Sequence, residues 1–193
     1  MVSLQFHGKY GYKTPLGQID LELRRGEYIG VSGVNGSGKS TLLKTLGGQI
    51  DPLEGVPVID KVPTSSKQAL ALIKSIDAPS FLPDLTIQEH FELVFKGKEN
   101  TQRIQTQKWR LEEILDFPPS WLSSGQKQRA FLALHVHENW NFILLDEPER
   151  HLDKDWIGFL SEELNAIASL GVGIVVATHN ERLLNSCDRT IEL

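Results

Sequence analysis

Cysteine occurs once, at Cys187, so neither an intramolecular disulfide nor a cysteine-based metal cluster can form. Long apolar runs are missing as well. The longest, Gly171-Val172-Gly173-Ile174-Val175-Val176-Ala177, has the length of a strand and is too short to cross a bilayer. The start, Met1-Val2-Ser3-Leu4-Gln5-Phe6-His7, lacks the apolar core of a signal peptide. Basic residues are outnumbered, 20 Lys and Arg against 25 Asp and Glu for a net charge of −5, which argues against a large nucleic-acid surface. There is no internal repeat, low-complexity tract or long linker. These absences predict a cytoplasmic chain whose link to a membrane, if any, runs through a partner. The 193 residues, 40% of them hydrophobic, suffice for one compact domain with a sizeable core.

Hydrophobic patterning divides the chain into alternating strands and helices. Leu4-Gln5-Phe6 and Ile19-Asp20-Leu21-Glu22-Leu23 alternate apolar with polar residues, as half-buried strands do. Tyr28–Val31, Phe142–Leu145 and Gly173–Ala177 are short continuous apolar runs, as buried strands require. Helices are predicted over Ser40–Leu46, from about Thr86 to Leu115 with Thr86 as cap and Leu93, Ile104, Leu111, Ile114 and Leu115 as apolar anchors, from Ser124 towards His137, and over Trp156–Leu170. Pro118-Pro119 breaks the second of these. Such alternation predicts an α/β fold with a covered, mainly parallel sheet.

Gly33-Val34-Asn35-Gly36-Ser37-Gly38-Lys39-Ser40 fits the Walker A pattern and falls between a strand and a helix, the context its chemistry needs. Glycines let the backbone curl with its N–H groups pointing inward, and the following helix, from Ser40 and Thr41 onward, presents further unpaired N–H groups to the same anion. Lys39 is expected to reach the terminal phosphates and Ser40 to ligate Mg²⁺.

Four further motifs follow in order. Leu122-Ser123-Ser124-Gly125-Gln126 resembles the signature motif of ATP-binding cassette (ABC) ATPases. Phe142–Leu145 followed by Asp146-Glu147-Pro148 looks like their Walker B strand, Arg150-His151-Leu152-Asp153 occupies the place of the D-loop, and Thr178-His179-Asn180 that of the switch histidine. Singly these are weak; in sequence they are specific. The resemblance covers essentially the whole chain. It implies a P-loop NTPase core with an N-terminal antiparallel β part, about residues 1–76 and 125–193, and an inserted helical subdomain, about 77–124. It implies that ATP and Mg²⁺ are the cofactors and that Asp146 holds Mg²⁺. Glu147 would orient or deprotonate the attacking water, and His179 would contact the γ-phosphate. Ser123, Ser124, Gly125 and Gln126 would face the nucleotide of a second cassette, identical or paralogous, with Asp153 in the D-loop between them. Tyr10 sits where the family's adenine-stacking aromatic commonly lies, with Tyr12 as competitor.

Some positions depart from the family pattern. Aligning Pro79–Thr86 with the segment that normally follows a glutamine puts Asp77 in the glutamine's place, a replacement similar to that of bacitracin and lantibiotic-type exporters. A carboxylate there can still serve Mg²⁺ or the attacking water, but it brings negative charge near the γ-phosphate. Ser124 replaces a signature glycine, and Arg150 and His151 make an unusually polar D-loop. His135 and His137, two apart on a predicted helix, do not share a face and are not expected to chelate. Trp109, Trp121, Trp140 and Trp156 are expected to pack, and Lys96–Asn100 to form a solvated loop. The expected role is that of an ATPase subunit at the inner face of the cell membrane, powering a separately encoded integral membrane transporter and not acting on nucleic acid. The alternative is a non-transport ABC ATPase of translation, DNA maintenance or cluster assembly.

Overall fold

The computed structural model describes residues 2–193. Two sheets share the chain. β1 (Ser3–Gly11) pairs antiparallel with β2 (Pro15–Arg24), and the short β4 (Val58–Ile59) and β5 (Val62–Pro63) extend that sheet on the far side of β1. The second sheet is parallel throughout. β3 (Tyr28–Ser32), β6 (Ile73–Ile76), β7 (Phe142–Asp146), β8 (Gly173–Ala177) and β9 (Arg189–Glu192) lie in the order β6-β7-β8-β3-β9. Helices α1 (Lys39–Leu46), α2 (Lys67–Leu70), α3 (Ile87–Val94), α4 (Glu99–Lys108), α5 (Ser124–His135), α6 (Lys154–Ser169) and α7 (Glu181–Leu184) fill the connections. None of the described helices is long and apolar enough to cross a membrane.

The three central parallel strands, β3, β7 and β8, are apolar and buried up to their last residue because both of their faces are covered, whereas the edge strands β6 and β9 carry Lys74, Ser75, Arg189, Thr190 and Glu192. Along β7, Ile143 and Leu145 enter a core shared with α3, α5 and α6, while Phe142 and Leu144 enter a second core built against α1 and the antiparallel sheet. β8 divides in the same way, Ile174 and Val176 to one side, Val175 and Ala177 to the other. Each such Val, Leu or Ile contributes about 1.5–3 kcal/mol of burial.

The helix expected from Thr86 to Leu115 is two helices. Thr86 caps the first with a reciprocal capping box to Glu89, but the chain turns at Gly97, whose φ of +75° is left-handed, and the second helix restarts in a new phase. Two of the expected anchors are overturned, Leu93 in the first helix and Ile104 in the second. Leu93 and Ile104 are exposed, whereas Phe91, Phe95 and Trp109 occupy the core, and the Trp109 indole donates to Gln105 Oε1 at 3.1 Å. The solvated loop expected at Lys96–Asn100 is shortened, since Glu99 already starts α4.

Register lines up the C-terminal strand ends. Ile76 pairs with Leu145, Asp146 with Ala177, and Val31 with Ala177. The residues that leave these strands, Asp77, Glu147, Thr178 and Gly33, therefore emerge along one edge of the sheet, where ligands bind in open parallel α/β folds.

Candidate nucleotide-binding site

From β3 the chain turns tightly, with Ser37 N–H donating to the Val34 carbonyl at 3.1 Å, and enters α1 through two left-handed glycines. Gly36, at φ +85°, faces open space: an added Cβ would meet no atom within 4 Å. Gly38, at φ +100°, is the N-cap of α1 and brings no side chain to cap it, and the first turn holds no acidic residue. The opening N–H groups of this helix are left to an anion. Lys39 is buried, and its ammonium donates to the carbonyls of Gly33 at 2.7 Å and Val34 at 3.2 Å. Ser37 Oγ is buried without a partner among the described residues. Orphaned donors, a buried cation and a backbone left bare of side chains fit a polyphosphate. A cavity of about 390 Å³ opens over this loop, bounded by Asn35, Lys39, Ser40 and Thr41 on one side and Glu147, Arg150 and His179 on the other.

A second cavity of about 230 Å³ adjoins it and gathers Ser40, Asp77, Asp146 and Glu147. Burial pushes the Asp146 carboxyl above its ordinary 3.8; Ser40 pulls against this, while Asp77 and Glu147 add to it. Asp146 Oδ1 is buried and unpartnered among the described residues. Those residues include no ready-made cage of three or more His, Cys, Asp or Glu side chains. Mg²⁺ does not require one: it binds through one or two hard oxygen ligands and completes its shell with water and phosphate. The hydroxyl and carboxylates here fit such an ion.

Glu147 sits at φ +46°, a left-handed conformation that costs a residue with a Cβ about 1–2 kcal/mol. Its N–H donates to the Ala177 carbonyl at 2.8 Å, which binds the turn to the neighbouring strand. The carboxylate receives Arg150 Nη2 at 2.5 Å, and His179 Nδ1 lies 3.9 Å from its other oxygen. Glu149, next along, is buried and accepts the Thr178 hydroxyl. Burial raises its pKa above 4.5 and the Thr178 bond opposes the rise. The Thr178 hydroxyl in turn accepts Asn180 N–H at 2.9 Å, so the loop that carries His179 is tied to the turn that carries Glu147.

Ser123–Gln126 stand apart: none of them lines either cavity of their own chain. Ser123 and Ser124 are exposed at the start of α5, where Ser123 Oγ accepts Gln126 N–H at 3.2 Å and Gln126 Oε1 accepts Ser123 N–H at 2.9 Å. This capping box engages the Ser123 and Gln126 N–H groups and leaves the Ser123 and Ser124 hydroxyls and the Ser124 and Gly125 N–H groups without a partner among the described residues. Asp153 caps α6, its carboxylate accepting Trp156 N–H at 2.9 Å.

The expectation for Tyr10 is corrected. Its ring is 1% exposed, and a Cβ on Gly38 would touch it at 3.1 Å; it packs beneath the phosphate loop and has no face to offer a base. Tyr12, past the end of β1, is 64% exposed. Three polar residues of the cleft were not expected as site members. Arg150 lines both cavities, Lys44 the smaller one, and buried Gln128 donates to the Pro148 carbonyl at 2.8 Å, fastening α5 to the turn after β7. The signal for Arg150 was its place three residues after Glu147, and that for Gln128 its place in Lys127-Gln128-Arg129, which continues the signature motif as the family does.

A family model described as ABC transporter matches residues 16–150. The chain belongs to the ABC transporter family. It is 34% identical to a macrolide export ATP-binding/permease protein, MacB, of Vibrio parahaemolyticus, over 93% of this chain and 30% of that one. A Clostridium tetani protein described as an ABC transporter ATP-binding protein is 31% identical over 98% of this chain and 45% of its own length. The chain thus spans less than half the length of these curated relatives. Among solved structures, the ATP-binding subunit of an ABC transporter superposes with a TM-score of 0.88 at 26% identity, over 99% of this chain and 85% of that one. A cassette solved as a dimer in a post-hydrolysis state with ADP and Pi gives 0.83 at 27% identity, over 100% of this chain and 94% of that one. The fold is the ABC ATPase fold.

Proposed function

We propose that the chain binds MgATP, hydrolyses it, and couples that cycle to a membrane-embedded transporter. The observation that carries this reading is the meeting of an uncapped helix N-terminus and Lys39 with Ser40, Asp146 and Glu147 at one sheet edge. Lys39 leaves the Gly33 and Val34 carbonyls for the β- and γ-phosphates, and the N–H groups from Gly36 to Thr41 take the remaining phosphate oxygens. Ser40 and Asp146 hold Mg²⁺, which supplies neutralising charge when bound, and Asp77 stands where it can serve the metal or the water. Glu147 accepts a proton from water as its oxygen bonds to the γ-phosphorus and the bond to ADP breaks. His179 donates to the γ-phosphate oxygens, and Tyr12 replaces Tyr10 as the ring for the base.

Two cassettes close head to tail, each offering Ser123 to the other's nucleotide. A similar cassette solved as a dimer with ADP and Pi supports the pairing of two cassettes. The inserted segment 77–124 turns with closure and carries the transporter contact. Support for that contact comes from Leu82, Phe117 and Trp121, which expose apolar surface on this segment. The membrane partner keeps the cassette at the inner face of the cell membrane. The test is phosphate release by the purified chain with Mg²⁺ and ATP. Turnover should be measurable in the wild type and fall by about 10²–10⁴-fold in Glu147→Gln, with nucleotide affinity retained. Near-normal turnover in that variant refutes the assignment of the base.

A further inference from the structure

Among the described residues Arg150 is the only Lys or Arg that lines both cavities of the cleft. Its side chain is 60% exposed and its one protein acceptor is Glu147, at 2.5 Å. A guanidinium has five N–H donors in a planar fork, so most of its donors are uncommitted, and they sit between a cavity lined by Lys39 and Ser40 and one lined by Ser40 and Asp146. Lys39, the other strong cation over the loop, is spent on two backbone carbonyls until phosphate arrives. The smaller cavity is heavily acidic. Asp77, Asp146 and Glu147 line it against only Lys44 and Arg150. Asp77 stands where the family carries a neutral glutamine, and its charge bears on Asp146. A triphosphate entering beside three carboxylates is repelled, and besides Mg²⁺ the cations on the cavity walls are Lys39, Lys44 and Arg150.

We propose that Arg150 is a γ-phosphate ligand acting within its own subunit: it holds Glu147 before nucleotide binds, shifts onto the γ-phosphate when ATP enters, and offsets the charge of Asp77. The exchange needs no backbone motion, since Glu147 and Arg150 are three residues apart on one turn and the arginine side chain is long and exposed. Release of Glu147 coincides with arrival of the phosphate, so the carboxylate becomes free to accept the water's proton only when substrate is present. The proposal rests on the ATPase reading above.

The test compares wild type, Arg150→Ala, Arg150→Lys, Asp77→Asn and the double variant Arg150→Ala/Asp77→Asn, each checked by thermal melt. Affinities for ADP and for a non-hydrolysable ATP analogue are measured with Mg²⁺, alongside turnover. Arg150→Ala should weaken the ATP analogue by about ten- to hundredfold, the worth of a hydrogen bond to a charged group, and ADP by less than about twofold. Lysine should recover part of the loss as a point charge, and Asp77→Asn should recover part of it in the Arg150→Ala background, because the charge to be offset is gone. Equal weakening of ATP analogue and ADP, or no weakening of either, overturns the proposal. So does faster turnover in Arg150→Ala, which would make the arginine a brake on Glu147 alone. A wild type that does not hydrolyse ATP defeats the ATPase reading instead, while the ratio of analogue to ADP affinity still decides the role of Arg150.

Discussion

Replacing Tyr10 separates structural support of the phosphate loop from contact with the base. The ring is fully buried against Gly17 and Gly38, in the core that α1 shares with the antiparallel sheet. Tyr10→Ala deletes that ring, and removing a buried aromatic costs about 3–5 kcal/mol. At about 2–4 °C per kcal/mol for a chain of this size, the melting temperature should fall by about 6–20 °C. Tyr10→Phe keeps the ring and should stay within about 1.5 kcal/mol of wild type. Tyr12→Ala removes an exposed side chain, so its melt should be unchanged within about 0.5 kcal/mol. If Tyr12 supplies the stacking ring, ATP affinity should nevertheless drop by about 0.5–1.5 kcal/mol, or roughly two- to tenfold. Circular-dichroism melts and titration with a fluorescent ATP analogue measure both quantities. A Tyr10→Ala protein that melts like the wild type yet loses nucleotide affinity would refute the burial reasoning and return the stacking role to Tyr10.

Dimer closure and pH give two further tests. With ATP, Glu147→Gln should shift from monomer to dimer in light scattering, and adding Ser123→Arg should abolish the shift; a dimer indifferent to both ATP and Ser123 would contradict the head-to-tail sandwich. Burial, aided by Lys74 and His137, pushes His135 down from 6.5 to about 3. The unfolded chain therefore binds the extra proton first as the medium acidifies. The stability contributed by neutral His135 is complete above pH 6.5 and is lost as pH falls from there towards 3. Denaturation midpoints between pH 7 and 4 should fall less steeply in His135→Gln than in wild type, and parallel curves would show that His135 does not titrate this way.

The sequence by itself determined what a few adjacent residues can encode. The glycine spacing of 33–38 dictates left-handed turns ahead of a helix, and the caps at Thr86, Ser123 and Asp153 are satisfied within three residues of themselves. The buried strands were legible because a strand covered on both faces must be apolar at each position. Even the burial of Tyr10 had a signal, since the alternation through Leu4 and Phe6 carries on to Tyr10, but the positional likeness to a stacking aromatic outweighed it. The split of the helix at Gly97 was open to the same reading, although a lone glycine does not say how far the next helix rotates.

Only the tertiary structure decided what depends on strand order and on side chains meeting across elements. Asp77 precedes Asp146 by 69 positions, and no local pattern pairs them; they share a cavity because β6 lies beside β7 in parallel register. Glu147, with its left-handed backbone, is held by a hydrogen bond to Ala177 on the neighbouring strand. The pairing of Arg150 with that carboxylate follows from the turn so formed. Local chemistry chooses the conformation of a few residues at a time, while the charge balance of the cleft is a sum over elements far apart in sequence, and it exists only once the sheet brings them to one edge.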